Sequence, residues 1–312
     1  MSAKILVVGQ IYPPLEAELA ARYEVHHLAH PSDIGSLTDE ARQATIVVSG
    51  GSSGASSALM SAVPGLRLIA VFGVGIDKVD LAAARSRNIV VSNTPDVLTD
   101  DVADLAVGLV FAVIRRIAAN DRFVRSGQWG MSSPPPLASR ITGQRIGIFG
   151  LGRIGLAIGK RLEPVAGELW YHNRRPRADA PYGYVPSLLE LAAKVDILVA
   201  AVSGGPESAG AIDTAVLNAL GPRGTLINIA RGSVVDQPAL VDALREGRLG
   251  GAGLDVFTDE PRVPDALWAM DTVVLQPHQA SATVETRRAM ADLVLANVEA
   301  HLTGRALPSA VS

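Results

Sequence analysis

The 312-residue chain contains no cysteine, and that absence removes disulfides, thiol nucleophiles, cysteine-held zinc and iron–sulfur clusters from its candidate chemistry. It also lacks a run of one charge. Twenty-eight lysines and arginines stand against 31 aspartates and glutamates, a net charge of −3 with no basic stripe for nucleic acid to follow, so none is expected as a partner. Long hydrophobic runs are missing too: Leu105 to Ile114 is bounded by Asp104 and by Arg115-Arg116, well short of the roughly 18 apolar residues of a membrane span. The stretch from Met1 to Gly9 is strand-sized and has neither the longer apolar core nor the small-residue cleavage site of a signal peptide. It reads as a first strand, and a cytoplasmic location without membrane contact is expected. What the chain does have is 48% hydrophobic residues, enough to bury the cores of two domains of ordinary size.

Those residues are arranged in an alternation. Short runs rich in β-branched and aliphatic residues (Ile5–Val8, Glu24–Leu28, Thr45–Ser49, Leu68–Phe72, Ile89–Ser92) are separated by Ala- and Leu-rich helical segments. Nearly continuous Val, Ile and Leu runs imply parallel strands covered on both faces, hence a doubly wound α/β domain. A helix is expected from Thr99, a plausible cap before Asp100-Asp101, to about Arg116. Gly127 to Ser139, rich in Gly, Ser and Pro, is expected to be an extended arm. A second βα series follows at Arg145–Phe149, Leu169–His172, Ile197–Val202, Thr225–Ile229, Ala252–Val256 and Val273–Gln276, and Val284 to about Leu302 has helical spacing. The fold class is therefore α/β, with two doubly wound, Rossmann-like parallel-sheet domains. Gly50-Gly51-Ser52-Ser53-Gly54 follows a strand and is a binding-loop candidate, with Ser52 a candidate substrate contact.

Gly150-Leu151-Gly152-Arg153-Ile154-Gly155 lies between a strand and a helical run, the context in which a GxGxxG sequence holds a dinucleotide. The first glycine permits the sharp turn, the second lets backbone approach a pyrophosphate, and the third lets helix and strand pack closely. Gly150, Gly152, Arg153 and Ile154 are thus expected cofactor contacts. An NAD binder usually places an acid at the end of the next strand, but here the chain reads His172-Asn173-Arg174-Arg175-Pro176-Arg177. With no carboxylate to repel a 2′-phosphate and two arginines to bind one, NADP(H) is expected over NAD(H), with Asn173, Arg174 and Arg175 at that end of the site.

Three polar residues stand at strand ends of the second series: Arg231 in Asn228-Ile229-Ala230-Arg231-Gly232, Glu260 after Gly253-Leu254-Asp255-Val256-Phe257, and His278 after Gln276-Pro277. Open parallel sheets place their ligands there, so the three can meet in one crevice. Beside a nicotinamide they suit reduction of a 2-keto acid. Arg231 binds the carboxylate and carbonyl, His278 protonates the oxygen as hydride arrives, and Glu260 stabilises the imidazolium.

The motifs Val74-Gly75-Ile76-Asp77-Lys78-Val79-Asp80, Asn93 to Asp104, the Gly150 loop, Asn228–Gly232, Gly253–Glu260 and Pro277–Thr283 together resemble the D-isomer-specific 2-hydroxyacid dehydrogenase family, over nearly the whole chain. The resemblance implies that the nucleotide domain, residues 99–284, is inserted into a flavodoxin-like substrate domain formed by residues 1–98 and 285–312. Hinges would fall near Pro95 and Ala282, with the active-site cleft between the domains. It implies Arg231 as the substrate-binding arginine, His278 as general acid/base and Glu260 as its partner. Backbone N–H groups of Val74 and Gly75 would hold the substrate carboxylate. Asp255 would orient the nicotinamide amide, and Thr99, Ala230 and His278 would line the cofactor. Within the family the chain looks most like NADPH-dependent glyoxylate/hydroxypyruvate and hydroxyphenylpyruvate reductases. A homodimer is implied, with Trp129 in the arm either exchanged between subunits or simply packed.

Two departures stand out: Gln279-Ala280 in place of the usual Ile-Gly, expected to reshape the substrate pocket, and Gly204-Gly205 in place of Leu-Thr, expected to loosen cofactor contact. The competing readings are a non-enzymatic NAD(P)H-binding regulator on the same fold and a dehydrogenase of the D-lactate or phosphoglycerate type. A short-chain dehydrogenase is excluded, because no tyrosine has lysine four residues later. No metal is expected; a site at His26, His27 and His30 is the weaker reading of a histidine-bearing strand end.

Overall fold

The Val, Ile and Leu runs become the strands of two all-parallel sheets in the computed structural model, which describes residues 3–311. The chain divides into two units, Met1–Leu98 with Ser281–Ser312, and Thr99–Ala280.

In the first unit the order is β1 (Lys4–Val8), α1 (Pro13–Arg22), β2 (Glu24–Leu28), β3 (Ile46–Gly50), α2 (Ser57–Ala62), β4 (Leu68–Phe72), α3 (Leu81–Ser86) and β5 (Val90–Ser92). The sheet order is β2-β1-β3-β4-β5. Every residue of β3 and β4 is buried, as strands with both faces covered require, whereas edge strand β2, Glu-Val-His-His-Leu, buries only its last residue. Ser56 and Asp80 cap α2 and α3, their side-chain oxygens accepting the backbone N–H groups of Leu59 and Ala83. The chain leaves β1 on one side to form β2 and returns on the other to form β3, so the topology reverses between β1 and β3.

The second unit runs α4 (Thr99–Ile114), α5 (Ile117–Arg125), β6 (Arg145–Phe149), α6 (Arg153–Leu162), β7 (Glu168–His172), β8 (Gly183–Tyr184), α7 (Leu188–Lys194), β9 (Ile197–Ala200), α8 (Thr214–Leu220), β10 (Thr225–Asn228), α9 (Gln237–Arg245), β11 (Gly251–Leu254) and β12 (Val273–Leu275). Its sheet order is β12-β11-β10-β9-β6-β7-β8, reversing between β6 and β9. Leu191, Leu198, Leu217, Leu226 and Leu240 are among the core side chains. Truncating any one to alanine is expected to cost about 2–5 kcal/mol. The chain then returns to the first unit as α10 (Val284–Leu302).

Four details differ from the sequence reading. Thr99 is the first helical residue of α4 and does not stand before it as a cap. The expected single helix to Arg116 stops at Ile114, because Arg116 takes a left-handed conformation (φ 54°) and a second helix, α5, starts after it. Strand β8 is unheralded: two residues are too few for a pattern, and pairing with Trp170 and Tyr171 defines it. The second boundary between units falls after Ala280 and not after residue 284. Residues 281–283 belong with α10, which Thr283 caps by accepting the N–H of Thr286 at 3.1 Å. No helix or strand interrupts residues 126–144. Among the described residues no helix is long and apolar enough to cross a membrane.

Candidate active site

The glycine loop after β6 sits at the topological reversal of the second sheet, where open α/β sheets form their crevice. Gly150 has φ 99°, and a Cβ there would lie 2.5 Å from the Val202 backbone, so only glycine lets the loops after β6 and β9 approach. A Cβ on Gly155 would lie 2.2 Å from the carbonyl oxygen of Gly150, which fixes how closely α6 packs. Gly152, the N-cap of α6, has nothing within 4 Å of its Cβ position. That open side lies at the N-terminal end of a ten-residue helix, so the residues fit a pyrophosphate.

The ribose end is built from the residues after β7. Asn173 accepts the Leu151 N–H at 2.7 Å, and Arg177 donates to the Leu151 carbonyl at 2.9 Å, gripping the loop peptide from both sides. Arg177 also pairs with Asp179 at 2.6 Å. Sequence alone gives it no role, because three arginines in four positions look alike until one is seen to reach back 26 residues. Arg174 is exposed and pairs with Glu207. Arg175 is exposed and, among the described residues, has no carboxylate at ion-pair distance. Arg153 is exposed and Ile154 half-buried in the first turn of α6.

Arg231, Glu260 and His278 occupy successive loops at the carboxyl ends of β10, β11 and β12. The buried Asn228 side chain shapes the first loop, accepting the Ala230 N–H at 3.0 Å and donating to the Arg231 carbonyl at 3.0 Å. Gly232 then lets this loop press on the next, since a Cβ there would lie 1.9 Å from the Phe257 carbonyl carbon. In that next loop Glu260 accepts the Phe257 N–H at 3.0 Å through Oε1 and meets His278 Nδ1 at 2.8 Å through Oε2. His278 has φ 54°, an uncommon conformation for a non-glycine residue, held by its N–H bond to the Asp255 carbonyl at 2.9 Å.

Asp255 is 0% exposed and caps the same turn: its two oxygens accept the N–H groups of Gln279 at 2.7 Å and Ala280 at 3.1 Å. Burial pushes its carboxyl above the ordinary range, and those bonds together with the nearby His278 only partly oppose this. The geometry thus shows Asp255 setting the turn that aims His278. Burial also raises Glu260, but the hydrogen bond and charge of His278, the Phe257 N–H and the Arg231 guanidinium outweigh it and hold the carboxyl below its usual range. The pair borders a cavity of about 260 Å³ walled by Phe257, Pro261, Val263, Leu275 and Pro277. With Nδ1 committed to an ionised Glu260, Nε2 is the ring nitrogen left to exchange a proton. Ala230 is 5% exposed beside the Arg231 turn, and Thr99 opens α4.

The remaining candidates lie in the first unit. The Gly73 and Val74 carbonyls are taken by the Thr94 N–H at 3.0 Å and the Asn93 side chain at 2.9 Å. Among the described residues no protein acceptor takes the N–H of Val74 or of Gly75. Gly51 stands against them, its Cβ position 3.7 Å from the Gly75 oxygen, and Ser52 is exposed next to it. The histidines of β2 and its exit are spoken for separately: His26 by Glu24, His27 by Glu16 and His30 by Ser32. No group of three or more His, Asp or Glu among the described residues is arranged to hold a metal.

A family model described as D-isomer specific 2-hydroxyacid dehydrogenase, NAD binding domain, matches residues 107–280. The chain is 47% identical over 304 residues to hydroxyphenylpyruvate reductase of Plectranthus scutellarioides, covering 97% of each. It is 45% identical over 309 residues to 2-ketogluconate reductase of Gluconobacter oxydans, covering 98% of each. The NADPH-dependent glyoxylate/hydroxypyruvate reductase from Sinorhizobium meliloti, solved in complex with NADP and malonate, matches with TM-score 0.95 and 42% identity over all of this chain and 97% of that one. On the strength of a family model that matches more than half of the chain and of relatives matched over at least 97% of their length, the chain belongs to the D-isomer specific 2-hydroxyacid dehydrogenase family of oxidoreductases.

Proposed function

We propose that the protein reduces a small 2-keto acid, such as glyoxylate, hydroxypyruvate or an aryl-pyruvate, to the D-2-hydroxy acid with NADPH. The observation that carries this reading is the His278–Glu260 pair at 2.8 Å, its glutamate in a loop pressed against the one that bears Arg231. When bound, the reduced nicotinamide supplies the hydride. Each residue of the chain then has a task that its surroundings support. Gly150, Gly152 and the first turn of α6 (Arg153, Ile154) receive the pyrophosphate, and Asn173 keeps the loop in shape. Arg174 and Arg175 receive the 2′-phosphate, the feature that favours NADPH; NADH remains usable because neither arginine repels it. Ala230, Thr99 and Asp255 complete the cofactor's surroundings.

Arg231 binds the keto acid by charge, and the Val74 and Gly75 N–H groups, with Ser52 nearby, receive its carboxylate. His278 Nε2 gives its proton to the carbonyl oxygen as the carbon accepts hydride, and the neutral imidazole is then reprotonated from solvent. Ionised Glu260 stabilises the imidazolium before transfer and fixes the ring afterwards. The same reading takes the protein to be a cytoplasmic homodimer. The exposed apolar side chains of the arm, Trp129 at 76% and Leu137 at 98%, support the dimer.

The test is NADPH oxidation measured in parallel against glyoxylate, hydroxypyruvate, 4-hydroxyphenylpyruvate and 2-ketogluconate. Turnover of at least one with D-product is expected. Turnover of none, with NADPH bound, would overturn the enzyme reading.

A further inference from the structure

The two N–H groups assigned to the substrate carboxylate owe their direction to residues far away in sequence. In a trans peptide the C=O and N–H point opposite ways. Thr94 N–H holds the Gly73 carbonyl at 3.0 Å and the Asn93 amide holds the Val74 carbonyl at 2.9 Å, so both peptides turn their carbonyls toward residues 93–94. The N–H groups of Val74 and Gly75 therefore face away from that segment together, forming a two-pronged anion receiver.

Asn93 is itself held. Its carbonyl accepts Ser309 Oγ at 2.6 Å, and its N–H donates to the Ser309 carbonyl at 3.4 Å. Ser309 is fixed in turn by Asn297 on α10, which donates to Ser309 Oγ at 2.8 Å and accepts the Ser309 N–H at 3.2 Å. Asn297 is 1% exposed, and its amide also donates to the Leu293 carbonyl at 2.7 Å, so it makes its bonds away from water and cannot replace them cheaply. Beyond Ser309 the chain lies antiparallel along β5, with Ala310 bridged to Ser92 and the Val311 N–H bonded to the Val91 carbonyl at 2.8 Å.

We propose that Asn297, Ser309 and Asn93 form a positioning relay, which sets the affinity of the Val74–Gly75 receiver for the substrate carboxylate without touching the reacting atoms. The proposal rests on the 2-keto acid reading for the identity of the ligand, but a non-reacting dicarboxylate tests it separately. Asn93→Asp is the discriminating variant. It keeps the size of the side chain and exchanges its donor for an acceptor that repels the Val74 carbonyl, whereas a residue needed only for packing would tolerate it.

Malonate binding to the NADPH-saturated protein, measured by titration calorimetry, is expected to weaken about tenfold in Asn93→Asp and Asn93→Ala and about threefold in Ser309→Ala, in line with loss of one buried hydrogen bond. KM for the keto acid should rise in parallel while kcat and the Kd of NADPH stay within about twofold. Wild-type malonate affinity in Asn93→Asp would overturn the relay, as would equal losses in kcat and NADPH binding. No malonate binding by the wild type would overturn the receiver and the relay with it. A wild type that binds malonate but reduces no keto acid would sink the reductase reading alone, and the malonate ratio would still decide the relay.

Discussion

The two sheets share a topology and differ in what their reversal points offer a ligand. Between β1 and β3 the chain turns at Gly9 and enters α1 through Tyr12, Pro13 and Pro14; between β6 and β9 it turns at Gly150 and enters α6 directly through Gly152 and Arg153. Proline at the first two helical positions removes two of the N–H groups that make a helix end attractive to anions. The second unit keeps those N–H groups and leaves the space over Gly152 open. One architecture has thus been used twice, and the residues between strand and helix distinguish the copy whose helix end fits a pyrophosphate from the copy whose helix end does not.

The largest effect expected from this division concerns the proton. His278→Ala should lower kcat by about 10²–10⁴, the usual contribution of a positioned acid, and leave NADPH binding, followed by nucleotide fluorescence, intact. A variant that binds NADPH poorly would mean that His278 is part of the cradle and not of the chemistry. Next comes a matched pair of glycines. Gly150→Ala puts a methyl 2.5 Å from the Val202 backbone, and displacing the cradle by about 1 Å should cost on the order of 100-fold in NADPH affinity. Gly9→Ala meets the hydroxyl and the Cβ of Ser53 and no backbone atom, so it should cost about 1–2 kcal/mol of stability for its left-handed φ of 70° and leave NADPH affinity unchanged. Equal losses of NADPH binding in the two variants would erase the distinction between the units.

Much of this was legible in the sequence because the decisive signals are local. Strand, GxGxxG and helix follow one another within Arg145–Leu162, and Met290, Val294 and Val298 recur at helical spacing in Val284–Leu302. Arg231, Glu260 and His278 could be named because each charged or titratable group follows an apolar strand. What stayed hidden depends on distant partners. Arg177 is set apart from Arg174 and Arg175 by its reach to the Leu151 carbonyl, and Asn93 is tied to a serine 216 positions away. Nor can sequence show that the oxygens of Asp255 close on the N–H groups of Gln279 and Ala280.

Cofactor choice gives a smaller effect. Arg175→Ala should weaken NADPH binding about tenfold through loss of a charge-assisted bond and leave NADH binding unchanged, with the difference shrinking as salt rises. Equal effects on the two nucleotides would remove the 2′-phosphate from this loop.

The smallest effects separate two carboxylates of the same unit. Glu260 is held below its ordinary value of 4.5, so in the folded protein it stays ionised where the unfolded chain takes up a proton. Its stabilisation is present above that value and is lost as pH falls through the folded-state value, so the stability gap between wild type and Glu260→Gln should open as pH rises toward 4.5. Asp255 is raised from 3.8, so folding favours its protonated form below that value and loses this contribution as pH climbs through the folded-state value. Asp255→Asn is destabilised throughout by losing a bond to the 279–280 turn, but its gap from wild type should narrow as pH rises above 3.8. Urea unfolding between pH 3 and 7 reads both slopes. Opposite signs are expected because one carboxylate faces an imidazole and a guanidinium while the other is buried with backbone; gaps that move together would mean that the two sites titrate as one.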